Sequence, residues 1–395
     1  MRWLIVEDAL RDRKGHWFEY LGTFARELKA LGDEVTILGD RAAEPFLREQ
    51  LQVQPVLPES IWHRMGDGAG PLRRYLRVPV HAWNTFRTMK KFLARGEKFD
   101  LIFVPTVLVH HLLGWQWLIK HALKNSDSRV LLFFPNTPVT LDEKTGEPAW
   151  QTAPTAKLFN RLIRSLHAEV AQGRVILGAE THPMCDALAK LTEVKFTYLP
   201  HPVAPLSEEK SERHGADETK IIFGSYGSAR HEKGPDVLVP AVEEFCRRFP
   251  ETRARFVLQS VDGDKALWAR LANNPKVELV ENYFPIGGYA KQLRATDVLL
   301  LPYRRSSYAL RVSRVVIEAL VQGLPVVATS KTTLEDQAKE FGAANFCADG
   351  DVESLVQAIR ETENNIAALK QIAAERKAAA RKHFSVQQFR ATLTA

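Results

Sequence analysis

The chain has 395 residues, 45% hydrophobic and 26% charged, a balance that excludes a disordered or fibrous protein and points to two or three globular domains. Lys and Arg exceed Asp and Glu, for a net charge of +7. Cys185, Cys246 and Cys347 are far apart, odd in number and outside CxxC spacing, which rules out a disulfide scaffold, argues against a zinc site and suits a reducing cytoplasm. The opening residues show no secretory-signal pattern. The longest apolar stretch, 101–119, contains Pro105, His110, His111 and Gln116, so it reads as strand, turn and helix and not as a span of about 20 apolar residues.

In chain order, short apolar runs predict strands at 3–6 and 34–38, and Trp17, Leu21, Phe24, Leu28 and Leu31 recur between them at helical spacing. Further strands are predicted at 101–104, 130–134, 174–177 and 195–199, with helices near 75–95, 107–123, 156–172 and 181–191. Residues 205–218, polar and without apolar period after Pro200, Pro202 and Pro205, read as a linker. A second series follows, with strands at 220–224, 255–259, 277–280, 297–301 and 325–328 and helices at 235–248, 263–272, 287–294, 312–322 and 352–383. The expected architecture is α/β, with two doubly wound, Rossmann-like domains at 1–204 and 219–383 and a last helix in 384–395 packing back on the first. Such sheets bind ligands at the carboxyl ends of their strands, so the main cleft is expected between the domains.

Two segments of the second half can carry chemistry. Gly224-Ser-Tyr-Gly-Ser-Ala-Arg-His-Glu-Lys-Gly234 leaves a strand and enters a helix. Gly227 and Ser228 lie in a turn that allows close backbone approach, Arg230 and Lys233 bring positive charge, and the helix start favours anions. A phosphate site and an ordinary strand–helix turn fit this spacing equally, since neither a Walker loop nor GxGxxG is present. The helix over 312–322 is apolar almost all round, with Arg311, Arg314, Glu318 and Gln322 on a single stripe. That stripe reads as a cleft face; the alternative is a solvated Arg314–Glu318 pair.

The chain resembles family 4 glycosyltransferases of the two-Rossmann-domain type called GT-B. The resemblance rests on Glu232-Lys-Gly234, on Ala295-Thr-Asp-Val-Leu-Leu-Leu-Pro302 and on Ile317-Glu-Ala-Leu-Val-Gln-Gly-Leu-Pro-Val-Val-Ala-Thr329, and it covers about 219–395. It implies that Glu318 holds the ribose of a nucleotide-diphosphate sugar, that Lys233 neutralises the diphosphate, and that Val312 and Ser313 offer backbone N–H groups to the same phosphates. Two positions depart from the family. Its usual Arg is Ser228 here, leaving Arg230 as the nearest substitute, and the first acid of its Glu-x7-Glu pair is Leu310, with Arg311 and Ser313 in the loop instead. The resemblance also places Gly15 and His16 on the acceptor side, where His16 would exchange a proton.

The first half carries weaker signals. Asp8 and Asp12 read as exposed loop acids; His110 and His111 read either as cleft residues or as a capped helix start; Pro135-Asn-Thr137 and Thr181-His182 follow strand ends. Seven basic residues and no acid lie between Arg73 and Arg95, interleaved with Tyr75, Trp83, Phe86 and Phe92. This segment suits an anionic membrane surface and equally a solvated helix face; no nucleic-acid motif accompanies it. The basic cluster Lys370, Arg376, Lys377, Arg381 and Lys382 reads as a solvated face. The resulting expectation is a cytoplasmic or peripheral-membrane enzyme. It would transfer a sugar from a nucleotide sugar to a glycan, lipid-linked or small-molecule acceptor, with retention and with neither metal nor other cofactor. A non-catalytic scaffold and a sugar-nucleotide epimerase are the alternatives.

Overall fold

A computed structural model describes residues 1–12, 17–60, 71–142, 144–206, 219–285 and 287–394, with 71–76 as backbone alone. The chain divides into two compact units, Met1–Pro202 with Val386–Ala395, and Val203–Ser385.

The first unit is built on strands β1 (Arg2–Val6), β2 (Glu34–Asp40), β3 (Gln54–Leu57), β4 (Leu101–Val104), β5 (Arg129–Phe134), a small antiparallel hairpin of β6 (Val139–Leu141) and β7 (Pro148–Trp150), then β8 (Val175–Ala179) and β9 (Thr197–Tyr198). The main sheet is parallel in the order β3-β2-β1-β4-β5-β8-β9. Its central strands are buried along nearly their whole length, because helices cover both faces of a parallel sheet. That is why they read in sequence as continuous apolar runs without alternation. The helix Trp17–Ala30 buries Leu21, Phe24 and Leu28 as its spacing predicts, and Leu31 falls beyond its end.

The second unit carries β10 (Ile221–Ser225), β11 (Ala254–Gln259), β12 (Val277–Val280), β13 (Val298–Leu301), β14 (Val326–Thr329) and β15 (Ala344–Cys347), parallel in the order β12-β11-β10-β13-β14-β15. Both sheets reverse their strand order once, at β1/β4 and at β10/β13. Crevices outside strand carboxyl ends at such reversals are where ligands bind in doubly wound folds.

The helix Val386–Thr394 belongs to the first unit. Phe389 packs edge-on to Phe24 with centroids 5.2 Å apart and meets Phe103 and Phe133. Arg390 forks onto Asp33 at 2.6 and 3.0 Å. Asp33 also accepts from the Trp3 indole at 2.9 Å and from the terminal amine at 2.6 Å.

Several expectations need correction. The helix expected over 352–383 is two, Val352–Asn364 and Ile366–His383, separated at Asn365. The one expected over 312–322 starts at Arg314, after Ser313 in extended conformation. The basic cluster of the long C-terminal helix is not a simple solvated face. Lys370 pairs with Asp297 at 2.5 Å, Arg376 donates to the carbonyls of Lys339 and Gly342, and Arg381 donates to that of Val321. Strands β3 and β15, the hairpin, and the helices Pro45–Gln50, Arg305–Tyr308 and Thr333–Phe341 had no distinct signal, being short or partly polar.

Candidate functional site

In the second unit the loops after β10 and β13 meet at the strand reversal. The chain leaves β10, turns at Gly227 with φ +92°, forms a single 3-10 turn at His231–Lys233 and enters the helix Pro235–Arg248 through Gly234, φ +69°. A Cβ at Gly234 would collide with the carbonyl oxygen of Pro302, so glycine there lets the Lys233 turn lie against the end of β13. The Arg304 N–H bonds to the Glu232 carbonyl at 2.9 Å and closes the junction. The Gly227 N–H bonds to the side chain of Gln259, the last residue of β11, at 2.7 Å, and Gln259 donates in turn to the Asn282 carbonyl.

This frame folds Lys233 back over the turn. Its Nζ lies 3.3 Å from the Tyr226 carbonyl and 5.7 Å from the centre of the buried Tyr303 ring. Burial and then Arg230 push its ammonium down to about 8, against the opposing pull of Glu232 and Glu318. Arg230 is exposed and pairs with Glu232 at 3.1 Å. Ser228, at the position of the family Arg, lies beside Asp262.

Glu318 sits on the helix Arg314–Gln322 with its side chain 13% exposed. It takes Arg314 Nε at 2.8 Å on one oxygen and the Tyr289 hydroxyl at 2.5 Å on the other. Burial, and then the charge of Glu318, raise the Tyr289 pKa well above its ordinary value. The Arg314–Glu318 pair exists as its spacing predicts, but it is half-buried and oriented by a tyrosine, so the solvated alternative does not hold. With the helix beginning at Arg314, Val312 and Ser313 precede it and Arg311 leaves the stripe. Arg311 lies 5.5 Å from the Tyr308 ring, with its carbonyl bonded to Thr333. The N–H groups of Arg314, Val315 and Val316 form the first turn, where no intrahelical acceptor exists. Leu310 is buried at 5% exposure, so the position of the family acid is filled by core.

The structure thus gathers Gly227, Arg230 and Glu318 around Lys233 in the second unit. Sequence reasoning missed Gln259, Tyr289 and Tyr303. Gln259 and Tyr303 stand at or just past strand ends, a position that could have flagged them; Tyr289 carries no local signal.

In the first unit, Gly15 and His16 lie outside the described residues. Asp8 is not an exposed loop acid: it is 8% exposed and contacts the Nε2 atoms of His111 and His81, each at 3.1 Å. Burial resists its ionisation, but the two histidines outweigh burial and hold its carboxyl well below the usual range. Burial and then Asp8 push neighbouring Glu7 well above it. Burial, followed by His111 and His81, lowers His110 to about 2. His111 does serve the helix start, accepting the Leu108 N–H on Nδ1 at 3.2 Å. A small cavity beside the group is lined by Glu7, Asp8, Thr85, Thr106, His111 and Trp115 among others. Thr181 caps the helix His182–Thr192, and His182 lies against the Tyr198 ring, a structural arrangement.

Comparison with known proteins matches residues 207–382 to the family described as Glycosyl transferases group 1. No curated protein sequence matches the chain. Among solved structures, a glycosyltransferase from Rickettsia africae is 14% identical, with a TM-score of 0.68 over 100% of this chain and 97% of that one. HepE from Anabaena, solved with UDP and glucose, is 14% identical with a TM-score of 0.65 over the whole of both chains. Sucrose-phosphate synthase from Thermosynechococcus elongatus is 14% identical, with a TM-score of 0.67 over 100% of this chain and 97% of that one. At that identity the likeness is one of fold, and the fold is GT-B. Residues 207–382 are thus similar to the group 1 glycosyl transferases, within a GT-B architecture of two Rossmann-like units.

Proposed function

We propose that the chain transfers a sugar from a nucleotide-diphosphate sugar to a glycan, lipid-linked or small-molecule acceptor. The single observation that carries this reading is Lys233, a half-buried ammonium folded over the turn at the strand reversal, within the electrostatic reach of Glu318 on the helix Arg314–Gln322. Two positive elements and one acceptor carboxylate match a diphosphate joined to a ribose. Lys233 and the first-turn N–H groups take the phosphates; Glu318, fixed by Tyr289 and Arg314, accepts from ribose hydroxyls. The UDP held by the Anabaena relative supports a nucleoside diphosphate as ligand.

In the transfer step the bond from the sugar C1 to the phosphate oxygen breaks, and its electron pair leaves on the diphosphate. The acceptor hydroxyl oxygen bonds C1 and releases its proton to a base or to the departing phosphate. Negative charge grows on the diphosphate, so preorganised cations there stabilise the transition state more than the ground state. Lys233 and the helix start supply that charge from the protein, which supports chemistry that needs no metal. Retention of configuration rests on the family resemblance, and the buried Leu310 is the observation that favours a non-catalytic scaffold as the second reading. The two are separated by incubating the protein with a panel of nucleotide sugars and candidate acceptors. Release of nucleoside diphosphate with formation of a glycosylated product supports the transferase; nucleotide binding without turnover favours the scaffold, and conversion of a nucleotide sugar without acceptor an epimerase.

We also propose a peripheral contact with an anionic membrane through the helix Pro71–Leu93. Among the described residues no helix is long and apolar enough to cross a membrane. On this helix Val80 and Trp83 are 54% and 51% exposed, and Arg87, Lys90 and Lys91 are exposed nearby, while Phe92 is buried. Exposed apolar and basic side chains on one amphipathic helix suit a headgroup boundary.

A further inference from the structure

A second set of ionisable side chains gathers at the reversal of the first sheet, and the proposed transfer chemistry does not use it. Asp8 follows β1. His110 and His111 open the helix Val109–Trp117 after β4, and His81 comes from the middle of the helix Pro71–Leu93. Asp8, His81 and His111 are buried and His110 is half-buried. The three imidazoles each place a ring nitrogen within 4.8 Å of the others.

The histidines are not equivalent. His111 accepts the Leu108 N–H on Nδ1, so the proton of its neutral ring sits on Nε2, which donates to Asp8. That nitrogen has no lone pair to give a cation. His81 Nε2 lies 3.1 Å from Asp8 Oδ2. Two ligands on a tetrahedral ion with bonds of about 2.0–2.1 Å stand about 3.3 Å apart, so this pair already has ligand spacing. His110 Nε2 is buried with no hydrogen-bond partner. Its ring meets that of His81 edge-on, centroids 5.2 Å apart. One of its ring nitrogens lies within 4.8 Å of one of His81, so ligand spacing between these two imidazoles takes a shift of about 1.5 Å or less, within reach of a side-chain rotation.

We propose that Asp8, His81 and His110 bind a divalent transition metal with the coordination chemistry of zinc, and that His111 orients the Asp8 carboxylate from behind. Two imidazoles and a carboxylate are a recurrent donor set for this ion, with water as the fourth ligand. A histidine donating to a ligating carboxylate is the usual outer-shell support. The ion would tie the end of β1 to two helices that the sequence supplies some 70 and 100 residues later.

The test uses the full chain, stripped with a chelator and titrated with Zn2+ against a competing indicator, and separately with Co2+. The proposal expects one Zn2+ per chain, the visible absorption of tetrahedral Co2+, and a Zn2+-dependent rise in Tm. His110→Gln should lose at least 100-fold in affinity. His111→Gln should lose about 10–100-fold while still binding. The exposed His167→Gln should bind as the wild type does. Asp8→Asn, where circular dichroism shows that it folds, should lose affinity as His110→Gln does; His110→Gln, half-buried, decides the question otherwise. Absence of stoichiometric binding by the wild type, equal binding by His110→Gln, or equal loss in His167→Gln would each overturn the site.

Discussion

Lys233 pays for its position in solvation, since burial and Arg230 both favour the neutral amine. An arriving diphosphate reverses that balance by pairing the charged form. With a pKa of about 8 in the free protein, binding at pH 8 should take up to about half a proton, and at pH 6 almost none. Calorimetry of nucleoside diphosphate binding in buffers of different ionisation enthalpy measures this uptake; a heat independent of buffer at pH 8 contradicts it. Affinity should also fall as pH rises above 8. Lys233→Ala should lower kcat by about 10²–10³ with a smaller effect on KM, because the charge it meets is greatest in the transition state. Arg230→Ala should cost less, since that side chain is exposed and already pairs with Glu232. Glu318→Gln keeps the shape of the proposed ribose contact but not its charge, and should weaken nucleotide-sugar binding by about 1.5–3 kcal/mol with Tm little changed. Steady-state kinetics of these variants check all three.

Among the elements, the helix Val386–Thr394 is held by Phe389 packing and by one carboxylate, Asp33. Burial would raise the Asp33 pKa, but hydrogen bonds from Arg390, the terminal amine and Trp3 outweigh it and hold the group at about 2, against an ordinary 3.8. A folded-state pKa below the unfolded one adds stability that is complete above about pH 4 and is lost as pH falls through about 2. The difference corresponds to about 2 kcal/mol. Arg390→Ala should lower Tm at pH 7, with the gap to wild type narrowing towards pH 2; thermal melts over that range measure it, and a constant gap would place the effect elsewhere. The helix Pro71–Leu93 makes a different prediction. Vesicle binding should rise with anionic lipid and fall with salt, and replacing Arg87, Lys90 and Lys91 by Gln should weaken it. Binding indifferent to lipid charge counts against a membrane role. Elements such as 101–104 were legible to the residue because their apolar runs are short and sharply bounded. The start of the helix Arg314–Gln322 was not, because Val312 and Ser313 continue the apolar and polar pattern while Ser313 is extended, in a segment that long-range contacts such as that of Thr333 with the Arg311 carbonyl hold in place.

At the scale of the molecule, two parallel sheets with the same single reversal of order each gather reactive side chains at that reversal. Alternating strand and helix signals revealed the doubly wound class, and the Glu232-Lys-Gly234 and Glu318 segments pointed to the residues of the proposed nucleotide site. The partners of those residues were hidden, because Tyr289 reaches Glu318 across 29 positions and His111 reaches Asp8 across 103. Such long-range pairs leave no spacing to read. Asp8 was misread for this reason, since its burial comes from helices far along the chain. The central claim is that the second unit holds a nucleoside diphosphate between Lys233, the start of the helix Arg314–Gln322 and Glu318. Isothermal titration of the wild type, Lys233→Ala and Glu318→Gln with UDP, ADP and GDP tests it most directly. The account predicts saturable, stoichiometric binding of at least one of these to the wild type and a loss of tenfold or more in both variants. Failure of the wild type to bind any of the three, or equal affinity in all three proteins, would contradict it.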